Sequence, residues 1–199
     1  MPGRVGPLTG GDATGGSGPV RAAVDRLDRA AAAIARAAAW AAGALLLAMV
    51  GHVLLEIALR SVFARSTFVL DEFVGYGVAA VTFLAAGHAF QDDALIRVGL
   101  VLDLTRRRPR LRRSIELAAA AVAAACVGFV AWYMAKSVLR HLDRGTVSET
   151  VARVPLWIPE GLMLLGLLVL VLRIVVYMLR VASGGPLLAD GGGDRGDGG

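Results

Sequence analysis

The chain has 199 residues, 56% of them hydrophobic and 19% charged, with a mean hydropathy of +0.65 and a formal net charge of +5. Soluble domains run nearer about 45–50% apolar and about 25% charged, so the composition excludes a soluble enzyme. The basic balance, with a pI of about 10.3, would point to nucleic acid in a soluble protein; here the basic residues flank apolar blocks, and the membrane accounts for them without nucleic acid.

Residues 1–19 are rich in Gly and Pro and are expected to be disordered. The apolar run that follows is far longer than the roughly 7–15-residue core of a cleaved signal, so the first span is expected to remain as an anchor. Between 20 and 36, Val20, Val24, Leu27, Ala31 and Ile34 recur at helical spacing, with Arg21, Asp25, Arg29 and Arg36 on other faces. That pattern predicts an amphipathic helix lying on the cytoplasmic surface.

A four-helix membrane domain is expected over 37–182, with spans at about 37–59, 73–90, 117–135 and 159–179. Each approaches the roughly 20 helical residues that cross a bilayer. Barrel strands of about 10 alternating residues do not fit. Ala94 to Thr105 is mostly apolar but too short to span, and is expected in the headgroup layer. The tail, 183–199, is rich in Gly and Asp and reads as disordered. The fold class is therefore all-α integral membrane, with four transmembrane helices and interfacial amphipathic helices.

Basic residues set the orientation. Fourteen lie in the N-terminal segment, the second connection and the tail, and six in the other two connections. Positive charge stays inside, so both termini and the cluster Arg106, Arg107, Arg108, Arg110, Arg112 and Arg113 are expected in the cytoplasm. The connections 60–71 and 137–157 are expected outside. The cluster reads as a topology signal and anionic-lipid site, or as a specific protein or headgroup pocket.

Chemistry within the spans is sparse. His52, Glu56 and Arg60 follow one another at i,i+4 and form one polar stripe. The stripe reads either as a proton or ion path or as a locally satisfied docking face. His52 and His88 are separated by about 15 Å along the membrane normal at helical rise, so they cannot share one haem. Arg173 sits in the inner half of the fourth span, where it snorkels to the headgroups or pairs with Glu116. The single cysteine, Cys126, forms no internal disulfide. No phosphate loop, zinc spacing or nucleophile elbow occurs, so no cofactor, metal or enzymatic activity is expected.

Three places carry a family likeness. Arg60-Ser61-Val62-Phe63 is followed by Leu70-Asp71-Glu72-Phe73 at the start of the second span. Phe83-Leu84-Ala85-Ala86 is followed by Ile96-Arg97-Val98. Gly145-x-x-Ser148 leads through Pro155-x-Trp157 to Gly166. In order and placement these resemble the small permease subunit of tripartite ATP-independent periplasmic (TRAP) transporters, the DctQ-like family. Leu95, Gly99, Ala85 and Leu164 depart from the family's usual His, Asp, Gly and Pro.

The resemblance implies a scaffold role in sodium-coupled import of an organic anion. Its partners would be a large elevator-type permease subunit and a periplasmic substrate-binding protein. Arg60, Asp71, Glu72, Arg97, Trp157 and Arg173 become candidates for a partner or lipid interface. Two other readings compete: a stand-alone proton-coupled exporter using Glu56, and an anchor subunit of another complex.

Overall fold

The computed structural model describes residues 19–90, 109–150 and 152–183. The N-terminal lead, the Ala94–Thr105 segment, Arg97, Arg106 to Arg108 and the tail beyond Ser183 lie outside the described residues. Within them the protein is all-helical: α1 is Pro19–Phe63, α2 Leu70–Ala89, α3 Pro109–Arg144 and α4 Trp157–Ala182. All four are long and apolar enough to cross a membrane.

The helices start where the chain chemistry permits. Pro19 opens α1 and Pro109 opens α3, positions at which a missing N–H costs nothing. Pro159 falls in the first turn of α4, where it is tolerated for the same reason. Asp71 and Glu72 in the first turn of α2, and Glu160 in that of α4, face the positive end of their helix dipoles.

The segment 20–36, expected as a separate surface helix, is the first part of α1. No breaker lies between Ala30 and Ala42, so 45 residues run on as one helix about 67 Å long. Its buried face carries Val24, Ala31 and Ala35. α4 is the centre of the bundle and packs against α1, α2 and α3, while α1 and α2 also pack together. The α3–α4 core gathers Ala120, Ile174, Tyr177 and Val181, with Phe90 edge-on to Tyr177 at 6.0 Å.

Two close approaches fix the remaining contacts. A Cβ on Gly166 would overlap the backbone of Phe83 and fall 2.6 Å from Leu84 N, so only glycine lets α2 and α4 meet there. Gly77 similarly admits the Met49 side chain against α2.

The outer surface is apolar. Trp40 is 81% exposed, and Leu47, Val122 and Phe129 also stand clear of the bundle. That inversion suits a protein whose solvent is hydrocarbon. Lys136 lies over the rings of Trp132 and Tyr133, at 5.0 and 5.9 Å, the aromatic-and-cation pairing found at membrane boundaries.

Candidate functional site

The polar residues of the bundle collect at its two ends. One end carries the connections 64–69 and 145–156. There Glu56, 2% exposed, accepts four hydrogen bonds. Oε1 takes Arg60 Nε at 2.9 Å and the Ser66 hydroxyl; Oε2 takes the Thr67 N–H at 3.0 Å and its hydroxyl at 2.6 Å. Arg60 also donates to Ser66 Oγ at 3.1 Å. The carboxylate thus organises the turn between α1 and α2, in which Ala64 and Phe68 take left-handed φ values of 51° and 60°. Such backbone persists only where neighbours over-determine it, and here the four donors to Glu56 do so.

Glu72 does the equivalent for the second connection. Thr150 donates its hydroxyl to Glu72 Oε2, and Ser148 shares a 2.6 Å hydroxyl contact with Thr150. Ser148 N–H bonds Val154 O at 2.9 Å and Leu156 N–H bonds Thr146 O at 3.2 Å, around a bridge between Val147 and Pro155. Gly145 begins this turn at φ 59°, a conformation that favours glycine. His141 Nδ1 and Glu160 Oε2 approach to 3.2 Å across α3 and α4, without hydrogen-bond alignment.

Asp71 and Glu72, sequence candidates for a partner or lipid interface, part company: Asp71 is exposed, whereas Glu72 reaches across to the 145–156 connection, and Arg60 is held by Glu56. Trp157, the first residue of α4, is 40% exposed.

The other end is built by arginines around the end of α4. Arg173 is buried, and its Nη1 bonds Asp28 Oδ1 at 3.1 Å and Asp28 O at 3.3 Å. Arg180 takes the other oxygen of Asp28 at 3.4 Å. Arg173 thus pairs with Asp28 of α1; Glu116, the sequence candidate, has no hydrogen-bond partner among the described residues. Arg113 donates to Val181 O and Arg21 Nε to Ser183 O, at 3.1 Å for the latter, so cations from two helices satisfy the open carbonyls of α4. Arg110 is exposed at the start of α3, Arg112 lies within that helix, and the rest of the arginine cluster is outside the described residues.

Asp28 was missed from sequence, although a signal existed. It stands four residues after Val24 and three and seven before Ala31 and Ala35, so helical spacing puts it on the face they share. Ser66, Thr67 and Thr150 gave no such signal, since hydroxyls in polar connections are unremarkable until the carboxylate they reach is known.

Among the described residues, two pairs of the places that carried the family likeness meet, while Ile96-Arg97-Val98 lies outside the described residues. Phe83 and Leu84 touch Gly166, and Glu72 binds the connection between Gly145 and Trp157. The profile of the tripartite ATP-independent periplasmic transporters, DctQ component, matches residues 49–184. The chain belongs to the DctQ family. It is the small membrane subunit of a TRAP transporter, a multi-pass protein whose system includes a large permease and a binding protein, and this family is a transporter component rather than an enzyme family. Asp28 and the first thirty residues of α1 precede the matched region. Neither the curated proteins nor the solved structures yield a match.

Proposed function

We propose that this DctQ subunit is a static scaffold for the large elevator-type permease of a sodium-coupled, binding-protein-dependent importer of an organic anion, a carboxylate by the family resemblance. The observation that carries the reading is the disposition of the ionisable groups inside the helices. Glu56 is held by four donors at one end and Arg173 by Asp28 at the other. Transporters place substrate and ion sites near the midplane, usually at broken helices; α1, α2 and α4 run through it unbroken, and their charged groups do not converge there.

In this reading the end with the two braced connections faces the periplasm and the arginine end the cytoplasm, as the basic residues favour. The protein resides in a bacterial inner membrane. Arg106, Arg107, Arg108, Arg110, Arg112 and Arg113 engage anionic lipid headgroups. Arg60, Asp71 and Trp157, exposed at the braced end, together with Arg97 from the family resemblance, form candidate contacts to the large subunit.

Co-purification tests the partner assignment. Tagged large permease should retain the chain through detergent extraction, and Trp157→Ala combined with Asp71→Asn should lower recovery several-fold while leaving the chain folded. Undiminished recovery would remove these residues from the interface.

A further inference from the structure

An ionisable pair flanks the connection between α3 and α4. His141 lies in the last turn of α3 and Glu160 in the first turn of α4. Those are the ends at which the helix dipole favours a cation and an anion respectively. His141 Nδ1 stands 3.2 Å from Glu160 Oε2, and the two side chains are 22% and 23% exposed.

The geometry separates two charge states of the ring. Nδ1 and Oε2 are both buried, and neither makes a hydrogen bond. A neutral imidazole gains nothing from such a contact. Its Nδ1–H would not be aimed at the carboxylate, and a bare Nδ1 lone pair would repel it. A positive ring is attracted whatever its alignment, and burial of the two atoms keeps water from screening them.

His141 also carries the loop. Its carbonyl accepts the Thr146 N–H at 3.2 Å, and the Thr146 carbonyl accepts the Leu156 N–H at 3.2 Å. Leu156 directly precedes α4. Holding His141 against Glu160 therefore tightens both ends of one connection, which Ser148 and Thr150 join to Glu72 of α2.

The other charged groups here are Glu72 on α2, Glu149 and Arg153 in the connection, and Arg140, Asp143 and Arg144 on α3. All but Glu72 are exposed. Among the described residues none of them forms an ion pair with His141 or Glu160. On α1, His52 rests against Phe73, the neighbour of Glu72. Of these residue types only histidine ordinarily changes charge between pH 5.5 and 8.

We propose that His141 and Glu160 form a proton-operated clasp, in which a proton on His141 closes the ion pair and tightens the 145–156 connection, and loss of that proton loosens it. The clasp involves only this chain's own residues, so it stands or falls separately from the uptake reading. Trp157, at the start of α4, is held more firmly in acid.

Hydrogen exchange of the full chain in detergent tests the clasp between pH 5.5 and 8. The amides followed are those of Thr146, Ser148 and Leu156, each rate corrected for the intrinsic pH dependence of exchange. In the wild type their opening constant should rise about threefold across this range, the scale of a partly exposed ion pair. His141→Gln and Glu160→Gln should each be at the opened level at pH 5.5 and stay flat to pH 8, while amides within α4 keep their protection. His52→Gln should retain the wild-type rise. A wild-type opening constant that does not move with pH would overturn the clasp without recourse to any variant. So would a rise that survives His141→Gln or Glu160→Gln, or one abolished by His52→Gln, which would place the titrating group on α1.

Discussion

Asp28 answers for two guanidiniums, and one of them is buried within α4. Removing one partner of such a pair strands a charge away from water, which costs about 3–5 kcal/mol, whereas replacing both by apolar residues is often close to neutral. Asp28 remains partly open, so the lower end of that range applies. Asp28→Asn is expected to lower the melting temperature of the detergent-solubilised protein clearly, and Asp28→Leu with Arg173→Leu to recover most of the loss. A silent Asp28→Asn would show that Arg173 finds its counter-charge elsewhere. From the sequence, Arg173 either snorkels to the headgroups or pairs with Glu116; the structure pairs it with Asp28. The sequence offered Glu116 because that residue lies at the inner end of a neighbouring span, and proximity in a one-dimensional map says nothing about which helix face turns toward α4. Glu56 shows the complementary case. Its i,i+4 relation to Arg60 was legible, while Ser66 and Thr67 reach it only because the turn folds back by ten and eleven residues.

Helix positions were legible from length and hydropathy, because about 20 apolar residues have few other uses. Helix continuity was not. The 20–36 pattern of apolar and charged residues suits a helix lying on a membrane surface, and equally one whose apolar face is covered by another helix; α1 buries Val24 and Ala31 of that face and leaves Leu27 and Ile34 about half exposed. The α2–α4 crossing was visible only as two short sequence likenesses, Phe83-Leu84 and Gly166, until their backbones were seen in contact. Gly166→Ala should force these helices apart at a cost of about 1–3 kcal/mol, the usual range for overpacking, read as a lower melting temperature. Gly43→Ala, on a face with open space around it, is the matched control and should change little. At the braced end, Glu56→Gln keeps the shape of the side chain but removes the charge that strengthens its hydrogen bonds. Faster amide exchange over residues 64–69 is expected, with the helices themselves unchanged; unchanged exchange there would mean the turn holds without Glu56.

Across the whole molecule the two ends differ in kind. One is a pair of connections braced by Glu56 and Glu72, the other a set of arginines that hold α1 and α3 to the end of α4. With the arginine end inside, a cysteine at 108 should be shielded from an impermeant thiol reagent in intact cells and one at 146 should react, each on a Cys126→Ala background. The reverse pattern would invert the orientation. On the proposed reading, the subunit contributes surface and carries neither substrate nor ion. Transport in liposomes tests it most directly. The purified chain alone should accumulate no organic anion under a sodium gradient, with uptake appearing only when the large permease and a loaded binding protein are added, and Glu56→Gln should reduce that uptake modestly. Robust gradient-driven flux through this chain alone, abolished by Glu56→Gln, would contradict the scaffold account and make Glu56 a transport residue.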